Sequence, residues 1–314
     1  MKYLLLLLLL VLNSVAAPKT TPPGADFTVA VLPDTQFYCR DFPKIFEAQT
    51  EWIIANRTNL NIVYVGGLGD IVQDGDKFPE QWHVATNALY RLENPARTGL
   101  PEGIPYGTVP GNHDHIGGIK SYNQYFGVDR FAGRKYYGGH YGDNNQSHFD
   151  LLSASGLDFI FLYVDYSRYG KKAEKAVDYS GIDAWADSVL KSHANRRAVV
   201  LSHDILAVTG EFDPRGREIH ENLKDNPNLF LLLSGHNSGE ARRTDVFAGH
   251  TIHACLSDYQ SWTNGGNGFL RTYQFSPSNN VIRVKTYSPW IDQFLTNASS
   301  QFEIPYVMTG SSNG

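Results

Sequence analysis

Apolar residues recur along this 314-residue chain in two alternating rhythms. Short apolar runs, as in FTVAVLPD, NIVYVGGLGD, LDFIFLYVD, RRAVVLSHD and NLFLLLSGH, predict strands buried on both faces. Between them lie stretches with helical spacing. FPKIFEAQTEWIIANR sets Ile45, Phe46, Trp52 and Ile53 on one face, and PEQWHVATNALYRL, GIDAWADSVLKSH and PRGREIHENLKD read the same way. IPYGTVPGNHD reads as a short strand followed by a loop. Strands alternating with helices predict an α/β sheet. Towards the end the pattern becomes strand-only: TIHACLSDYQ, GFLRTYQFSP, NNVIRVKTYSP and the segment to Val307, separated by turn-rich SPSNN and NGGNG, predict an added antiparallel sheet.

Three regions fall outside these rhythms. Residues 1–17 carry Lys2, an apolar run from Tyr3 to Leu12 and small residues at Ser14, Val15, Ala16 and Ala17, the layout of a secretory signal peptide cleaved near Ala16 or Ala17. Residues 18–25 form a Pro-rich leader. Residues 114–148, rich in Gly and Tyr, predict a long, partly ordered excursion over the sheet edge; such loops are often functional. The expected layout is one domain over residues 26–307 with a tail at 308–314. The mature chain is expected to be secreted or periplasmic, with no membrane span.

Composition narrows the class. A hydrophobic content of 42% against 19% charged residues fits an ordinary globular domain of this length. The net charge of −5 lacks the basic excess of a genomic nucleic-acid binder, so none is expected as partner. Cys39 and Cys255 are the two cysteines, and sequence alone leaves open whether they pair. N-x-S/T sequons stand at Asn56, Asn145 and Asn297.

The predicted strand ends change the picture most. PDTQ offers Asp34 and Gln36, GD offers Asp70, PGNHD offers Asn112, His113 and Asp114, LSHD offers His203, and SGHNS offers His236. One such residue is an ordinary turn former. Five strand ends carrying Asp, Asn or His predict a metal or acid–base site, because open α/β sheets gather ligands at the carboxyl edge.

In this order, PDTQ…GD…GNHD…H…GH resembles the calcineurin-like metallophosphoesterase superfamily over nearly the whole mature chain. The resemblance implies an α/β fold with a central β-sandwich flanked by helices, in four α/β/β/α layers, and a two-metal site at the strand ends. It implies that Asp70 bridges both ions, that Asn112, His203 and His236 complete one shell, and that Asp34 holds the other. His113 would face the leaving group as general acid, and Asp114 would orient His113 by a hydrogen bond. Such ions stabilise transition-state charge and lower the pKa of water to about 7. The implied activity is hydrolysis of a small-molecule or extracellular phosphomonoester or diester by metal-bound hydroxide.

Two positions depart from that pattern on the same side. Asp34-Thr35-Gln36 stands where the family has D-x-H, and His236-Asn237-Ser238 where it has H-x-H. Three explanations stay open: an oxygen-rich site of Asp34, Asp70, Gln36 and water suited to Mn, Mg or Ca; a single ion (Mn, Fe or Zn) at Asn112, His203 and His236; or a degenerate scaffold that binds phosphate or glycan without catalysis. His115, Arg242 and Tyr259 are candidate substrate contacts, and Gln260 stands in the same segment as Tyr259.

Overall fold

A computed structural model describes residues 23–116, 119–165 and 179–308; the signal-peptide and leader readings fall outside these residues, apart from the end of the leader. Fourteen strands are present among the described residues: β1 (Phe27–Leu32), β2 (Ile62–Gly67), β3 (Tyr106–Thr108), β4 (Tyr137–His140), β5 (His148–Ala154), β6 (Leu157–Tyr163), β7 (Arg197–Leu201), β8 (Leu229–Ser234), β9 (Gly239–Phe247), β10 (His250–Asp258), β11 (Leu270–Ser276), β12 (Val281–Ser288), β13 (Gln293–Leu295) and β14 (Gln301–Pro305). They build two sheets. One runs β13-β12-β11-β1-β2-β3 with β14 also paired to β12; the other runs β4-β5-β6-β7-β8-β10-β9.

The layers follow from side-chain alternation. In β1, Phe27, Val29 and Val31 enter the core between the sheets, whereas Ala30 and Leu32 face the helices outside. A strand apolar on both faces belongs in the middle of a covered sheet. Tyr64, Phe159, Phe161, Tyr163, Leu201 and Tyr273 fill the inter-sheet core. The outer face of the first sheet is covered by the helices Pro43–Asn56, Glu80–Leu89 and Ile119–Phe126 through Ile45, Phe46, Ile53, Trp82, Leu89, Tyr122 and Phe126. The outer face of the second is covered by Tyr179–Ser192 and Pro214–Leu223 through Ile182, Leu190, Ile219 and Leu223. Each such side chain, fully buried, contributes about 1.5–3 kcal/mol. The result is the expected α/β sandwich of four layers.

Several expectations are corrected. The terminal strands do not make a sheet of their own. β10 lies parallel to β8 in the second sheet, while β11 pairs antiparallel with β1 and carries β12, β13 and β14 into the first. The reason is that β10 is buried on both faces, with Ile252, Ala254 and Leu256 in one core and Cys255 in the other, and can sit inside a sheet. Residues 114–148 are more structured than an excursion: they include the helices Ile119–Phe126 and Val128–Phe131 and strand β4. Tyr122 and Phe126, four residues apart, fall on one helical face and bury against Trp82. Asn112–Ile116, read as loop, is a short helix. Cys39 and Cys255 are free and buried in different cores. Asn145 is fully buried and donates its amide to the Phe126 carbonyl at 2.9 Å, so its sequon offers no accessible acceptor.

Candidate metal centre

β1, β2 and β3 run parallel in one sheet, and β6, β7, β8 and β10 run parallel in the other. The residues that follow these strands meet across the sandwich. The loops are tied to each other by backbone bonds: Leu68 N–H donates to the Leu32 carbonyl, Thr35 N–H to the Asp70 carbonyl, and Gly235 N–H to the His203 carbonyl, at 3.0–3.1 Å.

Asp70, His203 and His236 converge, with one ligand atom from each lying within 4.8 Å of the others. His203 Nε2 is 3.1 Å from Asn112 Oδ1, 3.1 Å from His236 Nδ1 and 3.4 Å from Asp70 Oδ2. His203 Nδ1 lies 2.9 Å from the Leu68 carbonyl, a pairing in which Nδ1 carries the proton and Nε2 keeps its lone pair for the centre. Four lone-pair atoms packed this closely repel unless a proton or a cation sits among them. The tautomer, the mixed nitrogen and oxygen donors and the burial therefore fit a divalent ion held by Asp70, Asn112, His203 and His236.

The backbone is shaped around the two carboxylates. Asp70 and His236 sit at φ 46° and 69°, in the left-handed region that Asp tolerates better than most residues. A Cβ on Gly111 would come within 2.1 Å of Asp70 Oδ1, and one on Gly235 within 2.1 Å of Asp34 Oδ1. Gly111→Ala is thus expected to displace Asp70, to cost about 1–3 kcal/mol of stability as an overpacked site, and to lower bound metal. Thermal unfolding with and without chelator checks this; unchanged melting and metal content would contradict it.

Electrostatics divide the site. Burial works to raise the Asp70 carboxyl, but His203 and His113 outweigh it and hold it below the usual carboxylate range. Burial works against charge on His203, yet Asp70 and Asp34 lift it well above the usual imidazole range. Asp34 goes the other way: burial and the neighbouring Asp258 push it well up, although His236 N–H donates to both its oxygens at 3.1–3.2 Å.

The remaining expected residues are placed as follows. His113 is the second residue of the helix Asn112–Ile116, with its N–H donating to Asp70 Oδ1 at 2.8 Å. Its ring is not oriented by Asp114. Gln73 takes that role, with its carbonyl and its side-chain Nε2 each 3.0 Å from His113 Nδ1. The Asp114 carboxylate points back into the turn and accepts the N–H groups of Ile71, Val72 and Gly111 at 2.9–3.1 Å, because a buried carboxylate needs donors and these are the nearest. Burial and Asp70 push it up to about 6, and the backbone donors hold it there. Asp114 therefore fixes the Asp70 and Gly111 loops.

His115 Nε2 lies 2.8 Å from Asp165 Oδ1, just past β6; burial opposes its charge, but Asp165 raises it above the usual range. Tyr259 is buried and donates to Glu240 at 2.8 Å, in a network with Arg271 that braces the sheets, so it does not face the strand ends. Arg242 lies opposite Cys255, three residues along β9 from Gly239, which pairs with Asp258; its guanidinium stacks 4.7 Å from the Phe302 ring. That displacement of roughly 10 Å removes it from the centre. Gln36 does reach the site, where its amide donates to Gln260 Oε1, and Gln260 in turn donates to Asp34 Oδ2 at 3.3 Å and to the His236 carbonyl at 3.0 Å.

Sequence reasoning missed Gln73, Asp165 and Asp258. Asp258 is the last residue of β10, and the same strand-end rule that found Asp70 applies to SDYQ.

Comparison with known proteins agrees with the geometry. The sequence profile described as calcineurin-like phosphoesterase matches residues 27–238, from the first residue of β1 to two residues past His236. A Bacillus subtilis (strain 168) protein, YvnB, described as uncharacterized, is 38% identical over 282 residues, a match covering 86% of this chain and 20% of that protein. The chain thus spans about a fifth of that relative. Among solved structures, a dimetal phosphatase from Danio rerio superposes with a TM-score of 0.58 at 13% identity, covering 89% of this chain and 99% of that one. GAP50, described as the anchor in the inner membrane complex of Plasmodium, superposes with a TM-score of 0.56 at 14% identity, covering 91% and 90%. The profile takes in Asp34, Asp70, Asn112, His113, His203 and His236 together, and the chain belongs to the calcineurin-like phosphoesterase family.

Proposed function

We propose that the protein is an exported, metal-dependent hydrolase of phosphoric esters, acting on a small-molecule or extracellular substrate. The observation that carries this reading is the convergence of Asp70, Asn112, His203 and His236 on one point, with His113 beside Asn112 in the first turn of the adjoining helix. Divalent ions held there supply Lewis acidity and an activated water. The chain's own residues do the rest. Asp70, with its carboxylate held ionised beside His203, fixes the cation position and braces the His113 backbone. His113 holds a proton for the leaving oxygen. Gln73 suits it in both protonation states: the amide Nε2 can donate to Nδ1 when the ring proton is on Nε2, and the Gln73 carbonyl can accept from Nδ1–H when the ring is charged. Burial of Asp70 and His203 strengthens the interactions between them, while His236 stays part-exposed. Among the described residues no helix is long and apolar enough to cross a membrane.

The second reading is a phosphate- or glycan-binding scaffold without turnover. Gln36 and Ser238 favour it, because they remove two histidines from the family's pattern. One experiment separates the two: purified protein supplied with Mn²⁺, Mg²⁺, Ca²⁺ or Zn²⁺, assayed on an aryl phosphate and a bis-aryl phosphate, with metal content measured in parallel. Metal-dependent turnover is expected. Metal or phosphate binding without turnover on either ester supports the scaffold reading instead.

A further inference from the structure

Arg242, removed from the metal centre, borders a cleft of about 230 Å³ between β9 and β10 of the second sheet and β14 of the first. Strand alternation builds this cleft. Arg242 and Thr244, two residues apart on β9, share a face and pair with Cys255 and His253 of β10. Cys255 belongs to the core between the sheets, so that face looks toward the first sheet, where Phe302 and Ile304 stand two apart on β14. β9 is the end strand of its sheet, and the core stops there. Arg242 and Thr244 are exposed, while Cys255 and Ile304 are buried.

The net charge of the cleft comes from Arg242. Arg243 faces the other way and is neutralised by Asp245 at 2.6 Å and Glu211 at 3.1 Å. Glu303 is paired with Arg283 at 3.3 Å. Burial pushes His253 below the usual imidazole range despite the Pro305 carbonyl, and its Nδ1 is 3.0 Å from Thr244 Oγ1. The Phe302 ring carries two guanidinium groups, Arg242 at 4.7 Å and Arg271 at 5.8 Å. Arg271 is held by Glu240, whereas Arg242 has no ion pair or hydrogen bond among the described residues. A guanidinium stacked on a ring presents its edge N–H groups in a fixed plane, the geometry that grips a carboxylate or phosphate through two parallel bonds.

We propose that this cleft binds a small organic oxyanion, a carboxylate or phosphate monoester with an apolar end. Arg242 takes the oxyanion, and Phe302 and Ile304 cover the apolar part. Thr244 stands on the same face of β9 for a further polar group. The volume sets the size: about 230 Å³ lies below the roughly 300–1,000 Å³ of sites for drug-sized ligands, which suits a single ring or a short chain. The site lies roughly 10 Å along β9 from the strand ends, and it stands whether or not the metal centre hydrolyses esters.

The test is calorimetric titration of the full chain, in chelator, with phenyl phosphate, benzoate and inorganic phosphate in turn. Chelator empties the metal centre, where a bound cation would take phosphate itself. Phenyl phosphate and benzoate are each expected to bind once per chain, and phenyl phosphate more tightly than inorganic phosphate. Arg242→Met keeps an unbranched stem over Phe302 and drops the guanidinium. It should weaken phenyl phosphate and benzoate about tenfold to a hundredfold, the worth of a charge-assisted pair. Arg242→Lys keeps the charge without the fork and should recover only part of that loss. Mn²⁺ binding by Arg242→Met, measured without chelator, should match wild type, which places the anion outside the metal centre. Circular dichroism of each variant establishes that it is folded, and the Lys variant serves if the Met variant is not. No binding by wild type at millimolar probe overturns the proposal. So does equal affinity of wild type and Arg242→Met, or inorganic phosphate binding as tightly as phenyl phosphate. Ester turnover with metal bound bears on the hydrolase reading alone, so the two can fail separately.

Discussion

Asp70→Asn lowers kcat/KM on an aryl phosphate by about a thousandfold or more, and bound metal falls with it. The size follows from the several kcal/mol that Lewis-acid stabilisation contributes, at about 1.4 kcal/mol per factor of ten. Asn keeps the shape of the side chain and tolerates the left-handed backbone at φ 46°. The His113 N–H can still donate to its oxygen. What disappears is the negative charge between His203 and the cation position. The variant therefore separates charge from fold, and metal content with kinetics on the same preparation reads both. A variant with full metal and wild-type kcat/KM would remove Asp70 from the centre.

His113→Ala has the second largest effect and a different signature. General acid catalysis contributes on the order of 10²–10⁴-fold when the leaving group is a poor one. The loss should be of that size on an alkyl phosphate and much smaller on a nitrophenyl ester, whose phenolate departs without a proton. Metal content should stay at the wild-type level, since the His113 ring is turned to Gln73 and its contact with Asp70 is through the backbone. Equal losses on both esters would point to a general disturbance of the site, and no loss on either would exclude the acid role. Gln73→Ala, which leaves His113 in place, should shift the pH profile of the alkyl ester more than that of the nitrophenyl ester.

Much of this architecture was legible in the chain. The apolar runs of β1, β2, β6, β7 and β8 are long and carry residues for both faces, so their period and position agree with a covered sheet. The strand-end rule found Asp34, Asp70, Asn112, His203 and His236, because a parallel sheet delivers its carboxyl ends to one edge. It stopped short at β9 and Asp258. GEARRTDVF is polar and charged because β9 is an edge strand paired only to β10 among the described residues, so no apolar run marks it. Asp258 was passed over, although Tyr259 and Gln260 beside it were named, while the terminal strands read as a separate sheet. Asp114 failed for another reason. The resemblance implied that Asp114 orients its neighbour His113, but on a short helix neighbouring side chains point in different directions. Tyr259 and Arg242 lie near the site in sequence and leave it through strand geometry: successive side chains alternate faces, and each residue adds about 3.3 Å.

The tie between Gln36 and Gln260 closes a loop of 224 residues, and Asp34 and His236 are joined across 202. No hairpin or single β-α-β unit contains the centre; it comes into being when the amino-terminal and carboxyl-terminal parts of the chain dock. Closing loops of this length is slow relative to local structure and is completed late. Metal capture is therefore a timestamp on assembly. A nascent or partly folded chain has scattered ligands with little hold on an ion, whereas the finished sandwich locks the ion and is locked by it. An ion held by Asp70 and Asn112 from one sheet and by His203 and His236 from the other would clip the two sheets together, so chelation is expected to speed their separation.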